Sequence, residues 1–140
     1  MYATQQDIVD RYSADALLMV TDRDGNVDVQ QVLRALEDAD DEINTYIGKR
    51  YPLPLVMVPR VITRVAVDLA LYRLSDGAGY TEERRQRYDD AVKLLASIAA
   101  GKVSLGLDAD TSEDASPAGQ HVEVDSQPRR FNRPSMNRVL

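Results

Sequence analysis

Apolar residues recur every three or four positions along four stretches of residues 1–107, and beyond Leu107 the recurrence stops. The first stretch opens at Thr4, an N-cap type with Asp7 three residues on, and carries Ile8, Val9 and Tyr12 on one side; it predicts a short helix. The strongest pattern starts after Asp28, with Gln31 at the capping-box position. Val29, Val32, Leu33, Leu36, Ala39, Ile43, Tyr46 and Ile47 step by helical spacing up to Gly48. The third follows Pro59, which suits a first helical turn; Val61, Ile62, Val65, Ala66, Leu69, Ala70 and Leu74 make a face wide enough for the centre of a bundle. The fourth is capped by Thr81, has Glu82 and Glu83 against its N-terminal dipole, and buries Tyr88, Ala91, Val92, Leu95, Ile98 and Ala99 before Gly101.

Between these lie segments of other kinds. Ala16–Val20 behind Asp15 is apolar throughout and too short for periodicity to separate helix from extended chain. Residues 21–27 make a polar loop around Asp24-Gly25. Residues 51–59 contain Pro52, Pro54 and Pro59 and predict an extended connector. Apolar and polar residues alternate over 102–107 and again over 120–124, predicting two short strands that would pair with a neighbouring chain, since neither has a partner in its own. The expected architecture is mainly α: a bundle of four or five helices over 1–107, up to two short strands, and an extended C-terminal arm over 108–140.

Composition narrows the chemistry. The chain has 140 residues, one Phe, no Trp and no Cys, so its core is aliphatic and thiolate chemistry is excluded. No apolar run approaches the roughly 18 residues of a membrane span, and residues 1–7 have no signal-peptide pattern. The net charge of −6 opposes binding of a duplex by the body and suits a surface that DNA slides past.

Candidate sites are few. The Asp22–Asp28 loop has acids in alternation, but the sixth position from Asp22 is Val27 and the twelfth Leu33, where a calcium loop needs Gly and Glu; a tight turn is expected and no metal. Glu37, Asp38, Asp40, Asp41 and Glu42 crowd the polar side of the strongest helix. Their spacing would allow an acid/base pair or a hard-cation site if buried; opposite an apolar stripe they predict a solvated acidic face. Arg84, Arg85 and Arg87 form the one basic run of the body, with Glu83–Arg87 at ion-pair spacing. The single histidine, His121, lies in the polar arm, and the body offers no nucleophile–base dyad or Gly-rich phosphate loop. No catalytic residue and no cofactor is expected.

The arm is divided by charge. Asp108–Asp125 carries six acids and no Lys or Arg, whereas residues 126–140 carry four arginines and no acid. Phe131 stands among Arg129, Arg130, Arg133 and Arg138, ahead of the terminal Leu140. Burying that phenyl ring against a partner would contribute about 2–3 kcal/mol, and the guanidinium groups suit carboxylates or phosphates. The arrangement predicts a spacer followed by a docking tip.

Several segments resemble the Mu-like phage head–tail adaptor family: Met1-Tyr2-Ala3-Thr4, the loop from Thr21 to Gly25, Arg50-Tyr51-Pro52-Leu53-Pro54, Ala99 to Leu105, and Arg130-Phe131-Asn132-Arg133. The resemblance implies a virion neck protein assembled in the host cytoplasm. Such a protein would form a ring, commonly twelvefold, beneath the portal protein, extend the DNA channel without sequence-specific binding, and carry a stopper or tail-completion protein. It implies no enzyme activity and no membrane partner. The docking residues expected are Arg129, Arg130, Phe131, Arg133, Arg138 and Leu140, and Glu37, Asp38, Asp41 and Glu42 are the candidates for lining the channel. The alternative reading is a small helical DNA-binding or regulatory module using Arg84, Arg85 and Arg87 or the arm. A metal-dependent enzyme using the acidic helix is a weaker third.

Overall fold

The computed structural model describes residues 1–76 and 79–107. Within them the chain runs α1 (Gln5–Tyr12), α2 (Ala14–Thr21), β1 (Asp22–Arg23), β2 (Asn26–Val27), α3 (Val29–Ile47), α4 (Arg60–Leu74) and α5 (Glu82–Ala99). The mainly helical class expected from the periodicity is what forms.

Each start is set by a side chain. Thr4 closes a full capping box, its hydroxyl accepting from the Asp7 N–H while the Asp7 carboxylate accepts from the Thr4 N–H at 2.7 Å. Ser13 settles the short apolar run as helix. It ends α1 and, through a hydroxyl that accepts from the Ala16 N–H at 3.2 Å, caps α2. Asp28 and Thr81 cap α3 and α5 in the same manner.

The loop after α2 closes as a two-residue hairpin in which Asp22 pairs with Val27 and Arg23 with Asn26. Its central residues, Asp24 and Gly25, both take positive φ (55° and 79°), the backbone a tight antiparallel turn requires. The Asp22 carboxylate accepts from the Gly25 N–H at 2.8 Å and Asp28 is spent on the α3 cap, so the acids here shape the turn.

The strands are therefore at 22–27, not at 102–107. There a Schellman turn ends α5: Gly101 (φ 77°) donates to Ile98 O and Lys102 to Ser97 O. The chain then turns in, and Leu105 N–H donates to the Tyr51 hydroxyl at 3.0 Å, leaving no ladder to alternate with. The second expected strand, at 120–124, lies outside the described residues.

α4 occupies the centre. Ile62, Val65, Ala66, Val67, Leu69, Ala70, Leu71 and Leu74 are all buried, with α3 packed along one side, α5 across another, and α1 and α2 completing the cover. α3 contributes Val32, Leu36, Ala39, Ile43 and Ile47, and α5 contributes Ala91, Leu95 and Ile98. Gly48 ends α3 in ordinary helical backbone. Its lack of a side chain matters for space, because a Cβ there would stand 3.0 Å from Leu53 Cδ1 and 2.8 Å from Asn44 O.

Ser13 has φ 104° and ψ 158°, a region that glycine alone occupies at low cost. Ser13→Gly removes that strain while sacrificing little as a cap, so the variant is expected to gain about 1 kcal/mol of unfolding free energy in a urea titration; Ser13→Ala, which keeps the strain and loses the cap, should lose about 1 kcal/mol.

Candidate functional site

Three surfaces stand out once the bundle is closed. The first is an apolar loop. The connector after α3 does not bury its side chains: Val56 is fully exposed, Met57 is 69% exposed, and Leu53 and Val58 are 41% and 37% exposed. Tyr51, Pro52, Leu55, Val56, Met57 and Leu107 enclose a cavity of about 240 Å³ on this loop. Lys49, Arg50 and Lys102 stand exposed beside it, with the Arg50 guanidinium laid over Gly101 where a Cβ would be 1.7 Å away. Leu107, the last described residue, lines the cavity, so the described part of the chain ends at this pole. The sequence predicts an extended connector over 51–59, without assigning its apolar side chains to a surface. The signal was present in Leu53–Val58, which is more apolar than a spacer needs and is kept by its prolines from joining a helix.

The second surface is acidic. Glu37, Asp38 and Asp41 are exposed on α3, as a solvated face requires. Glu42 is not part of that face: it accepts from Arg73 at 2.6 Å and from the Tyr88 hydroxyl at 3.1 Å, tying α3 to α4 and α5. The Tyr88 ring stacks on Tyr72 with centroids 4.4 Å apart, which fixes that hydroxyl over the carboxylate. Asp40 accepts from the Tyr2 N–H at 3.0 Å. Of the five acids on the polar side of α3, two thus hold the bundle together and three face water.

The third is an arginine-walled groove. Arg60 and Arg64 on α4 face Asp7, Asp10 and Arg11 on α1 across an open cleft of about 680 Å³ floored by Val61 and Val67. In an adjoining pocket that shares Arg11 and Arg64 with this cleft, Asp68, 9% exposed, accepts from the Tyr12 hydroxyl and lies 3.4 Å from Arg11 Nε. The Arg87 guanidinium covers the Tyr12 ring at 5.0 Å. Sequence reasoning missed this groove, since its arginines come from separate helices and no run of bases marks it.

The basic run of α5 is dispersed. Arg84 turns back to donate to Ser75 and the Gly79 carbonyl, Arg85 lies 3.9 Å from Asp89, and Arg87 pairs with Glu83. The candidate docking residues Arg129, Arg130, Phe131, Arg133, Arg138 and Leu140 lie outside the described residues.

A model of the family described as Bacteriophage Mu, Gp36 matches residues 2–124. The chain belongs to that family. Two curated relatives agree. The Mu-like prophage FluMu protein gp36 of Haemophilus influenzae is 34% identical over 125 residues, covering 88% of each chain. Gene product J of Escherichia phage Mu is 34% identical over 136 residues, covering 94% of each. The expected kinship with Mu-type phage proteins is thereby established, and the family match runs past Leu107 into the arm. Among the described residues no helix is long and apolar enough to cross a membrane.

Burial pushes the phenols of Tyr2, Tyr12 and Tyr88 above their usual value of 10.0, and the carboxylates of Asp40, Asp68 and Glu42 respectively push the same way. A raised folded-state pKa favours the neutral phenol, so this contribution is complete below pH 10 and is lost as pH rises through the folded values. Tyr51 has the opposite sign, because the Leu105 N–H stabilises its phenolate. Tyr12→Phe is expected to cost about 1–2 kcal/mol at neutral pH, the bond to Asp68 being lost. It should also flatten the fall in stability above pH 10 seen in urea titrations of the unaltered chain.

Proposed function

We propose that the chain is a structural subunit of the phage neck: a ring-forming head–tail adaptor that docks on the portal protein, extends the DNA channel and carries a stopper or tail-completion protein. Membership of the Mu Gp36 family puts the chain among phage proteins. The observation that carries the reading further is the pole where the unburied loop 53–58 and the end of the described chain at Leu107 coincide. Burying one exposed Val or Met side chain contributes about 1.5–3 kcal/mol, and a soluble body leaves several such side chains together where a partner is to cover them. The portal is assigned to this pole, with the arm's Phe131 and arginines as a second point of attachment. Twelve or so copies held in a ring make weak contacts of this kind collectively strong.

The function is geometric and not enzymatic in this reading, and the particle is its place of action. Of the exposed acids of α3, Asp38 is proposed for the channel wall, where its charge keeps passing DNA from adhering, and Glu37 and Asp41 for contact with a neighbouring subunit. Against the DNA-binding alternative, Arg84, Arg85 and Arg87 each have a partner within the chain, which leaves that reading to the arm.

Deleting residues 127–140 should leave the thermal melt of the body unchanged and abolish assembly of the neck, scored by electron microscopy of particles. Full-length tails on particles carrying the truncated chain would refute the clamp. Phe131→Ala should weaken docking at every salt concentration, whereas Arg129→Ala and Arg133→Ala should alter its salt dependence.

A further inference from the structure

Among the charges that enter no ion pair within the described residues, two pairs match one another. Arg60 and Arg64 are exposed on α4, four positions apart, and enter no ion pair; Glu37 and Asp41 are exposed on α3, four positions apart, and enter none either. Four positions are one helical turn, about 6 Å along the axis, so both pairs present their charges at the same interval. The correspondence continues on the far wall of the groove. α1 supplies Asp7 and Asp10 there, and the α3 strip carries exposed Arg34 three positions before Glu37. Strip and groove are thus complementary in both signs.

We propose that the groove between α1 and α4 receives the exposed strip of α3 from a second copy of the chain, with Arg60 and Arg64 of one copy against Glu37 and Asp41 of the next. The two surfaces lie on different elements of one chain, so the contact is head-to-tail; when the rotation closes, such contacts generate a ring and use up every patch. The groove takes the acidic strip and not a phosphate backbone because Arg34 on the strip answers Asp7 and Asp10 on the rim, which a backbone of phosphates would meet only with like charge. It does not take the apolar loop of another copy, whose neighbours Lys49, Arg50 and Lys102 carry the charge of the arginine wall. Half-buried Val61 on the floor gives the helix an apolar contact, and the charges fix its register. This contact rests on the ring-forming reading and names the surfaces that would build the ring.

Charge reversal tests it. One chain carries Glu37→Arg with Asp41→Arg, a second carries Arg60→Glu with Arg64→Glu, and a third carries all four; circular dichroism verifies that each is folded. Sedimentation should show the unaltered chain associating, less so as salt is raised from about 0.05 to 0.5 M. Each two-site chain alone should associate at least about tenfold more weakly. Mixing the two, or combining the changes in one chain, should restore association. The contact itself is read in assembled particles through Asp41→Cys with Arg64→Cys, a clean probe because the sequence holds no other cysteine. A ladder of disulfide-linked oligomers, starting at the dimer, is expected on oxidation. No such linkage in particles that do assemble would overturn the contact while leaving the adaptor reading intact. Association that neither reversal affects would overturn it likewise. Loss of assembly from the arginine reversal alone, with the acid reversal harmless, would assign the groove to a different acidic protein and refute the proposal.

Discussion

Apart from Arg60, Arg64 and Arg73, α4 offers little to water, and the rest of the bundle follows from that. Eight apolar side chains of this helix are buried, spread around much of its circumference, so it needs cover on most sides. α3 and α5 are amphipathic helices long enough to provide two sides, and α1 and α2 provide the remainder. Each sheath helix is started by its own capping side chain, so helix ends are fixed locally while their relative placement is dictated by α4. The polar contacts obey the same geometry. Glu42 reaches Arg73 and Tyr88 from one side of α4, and Asp68, on α4 itself, is satisfied by Tyr12 and Arg11 from the other. A charge in either place left unpaired would cost several times what its ion pair contributes, so these groups select one arrangement of the helices over its alternatives.

With the core assigned, the leftover surface becomes informative. An aliphatic core this small consumes most of the apolar residues in the helices, yet Leu53, Val56, Met57 and Val58 stay outside on a loop that its prolines hold away from regular structure. Charges divide in a comparable way. Five of the ten arginines in residues 1–107 enter ion pairs there, and among the charges that enter none, Glu37, Asp38 and Asp41 share an exposed strip while Arg60 and Arg64 wall a groove. In the proposed adaptor role, keeping these surfaces separate, one apolar and two of opposite sign, lets a subunit meet itself and a different partner at once.

The sequence determined the helices, because amphipathic spacing and capping side chains act over three or four residues and can be read in order. Thr4, Asp28 and Thr81 were legible as caps and α4 as the central helix on these grounds. It also determined kinship: the short motifs distributed from Met1 to Leu105 suffice to place the chain with Mu-type phage proteins. Where local signals were balanced, it did not decide. Ala16–Val20 became helical through Ser13, which looks unremarkable in the sequence, and the alternation over 102–107 was overruled by the turn at Gly101 and the tether to Tyr51.

Only the tertiary structure decided what each surface residue is for. Glu42 and Asp41 are adjacent in the chain and identical in charge, yet one bonds three helices together and the other faces solvent, since about 100° of helical rotation separates them. The arginine groove joins residues from α1 and α4 that are some fifty positions apart in the chain, and the apolar pole joins the α3–α4 connector to the end of the body at Leu107. Such juxtapositions depend on how helices pack around a common core, a relation between distant segments that the periodicity of any one of them does not contain.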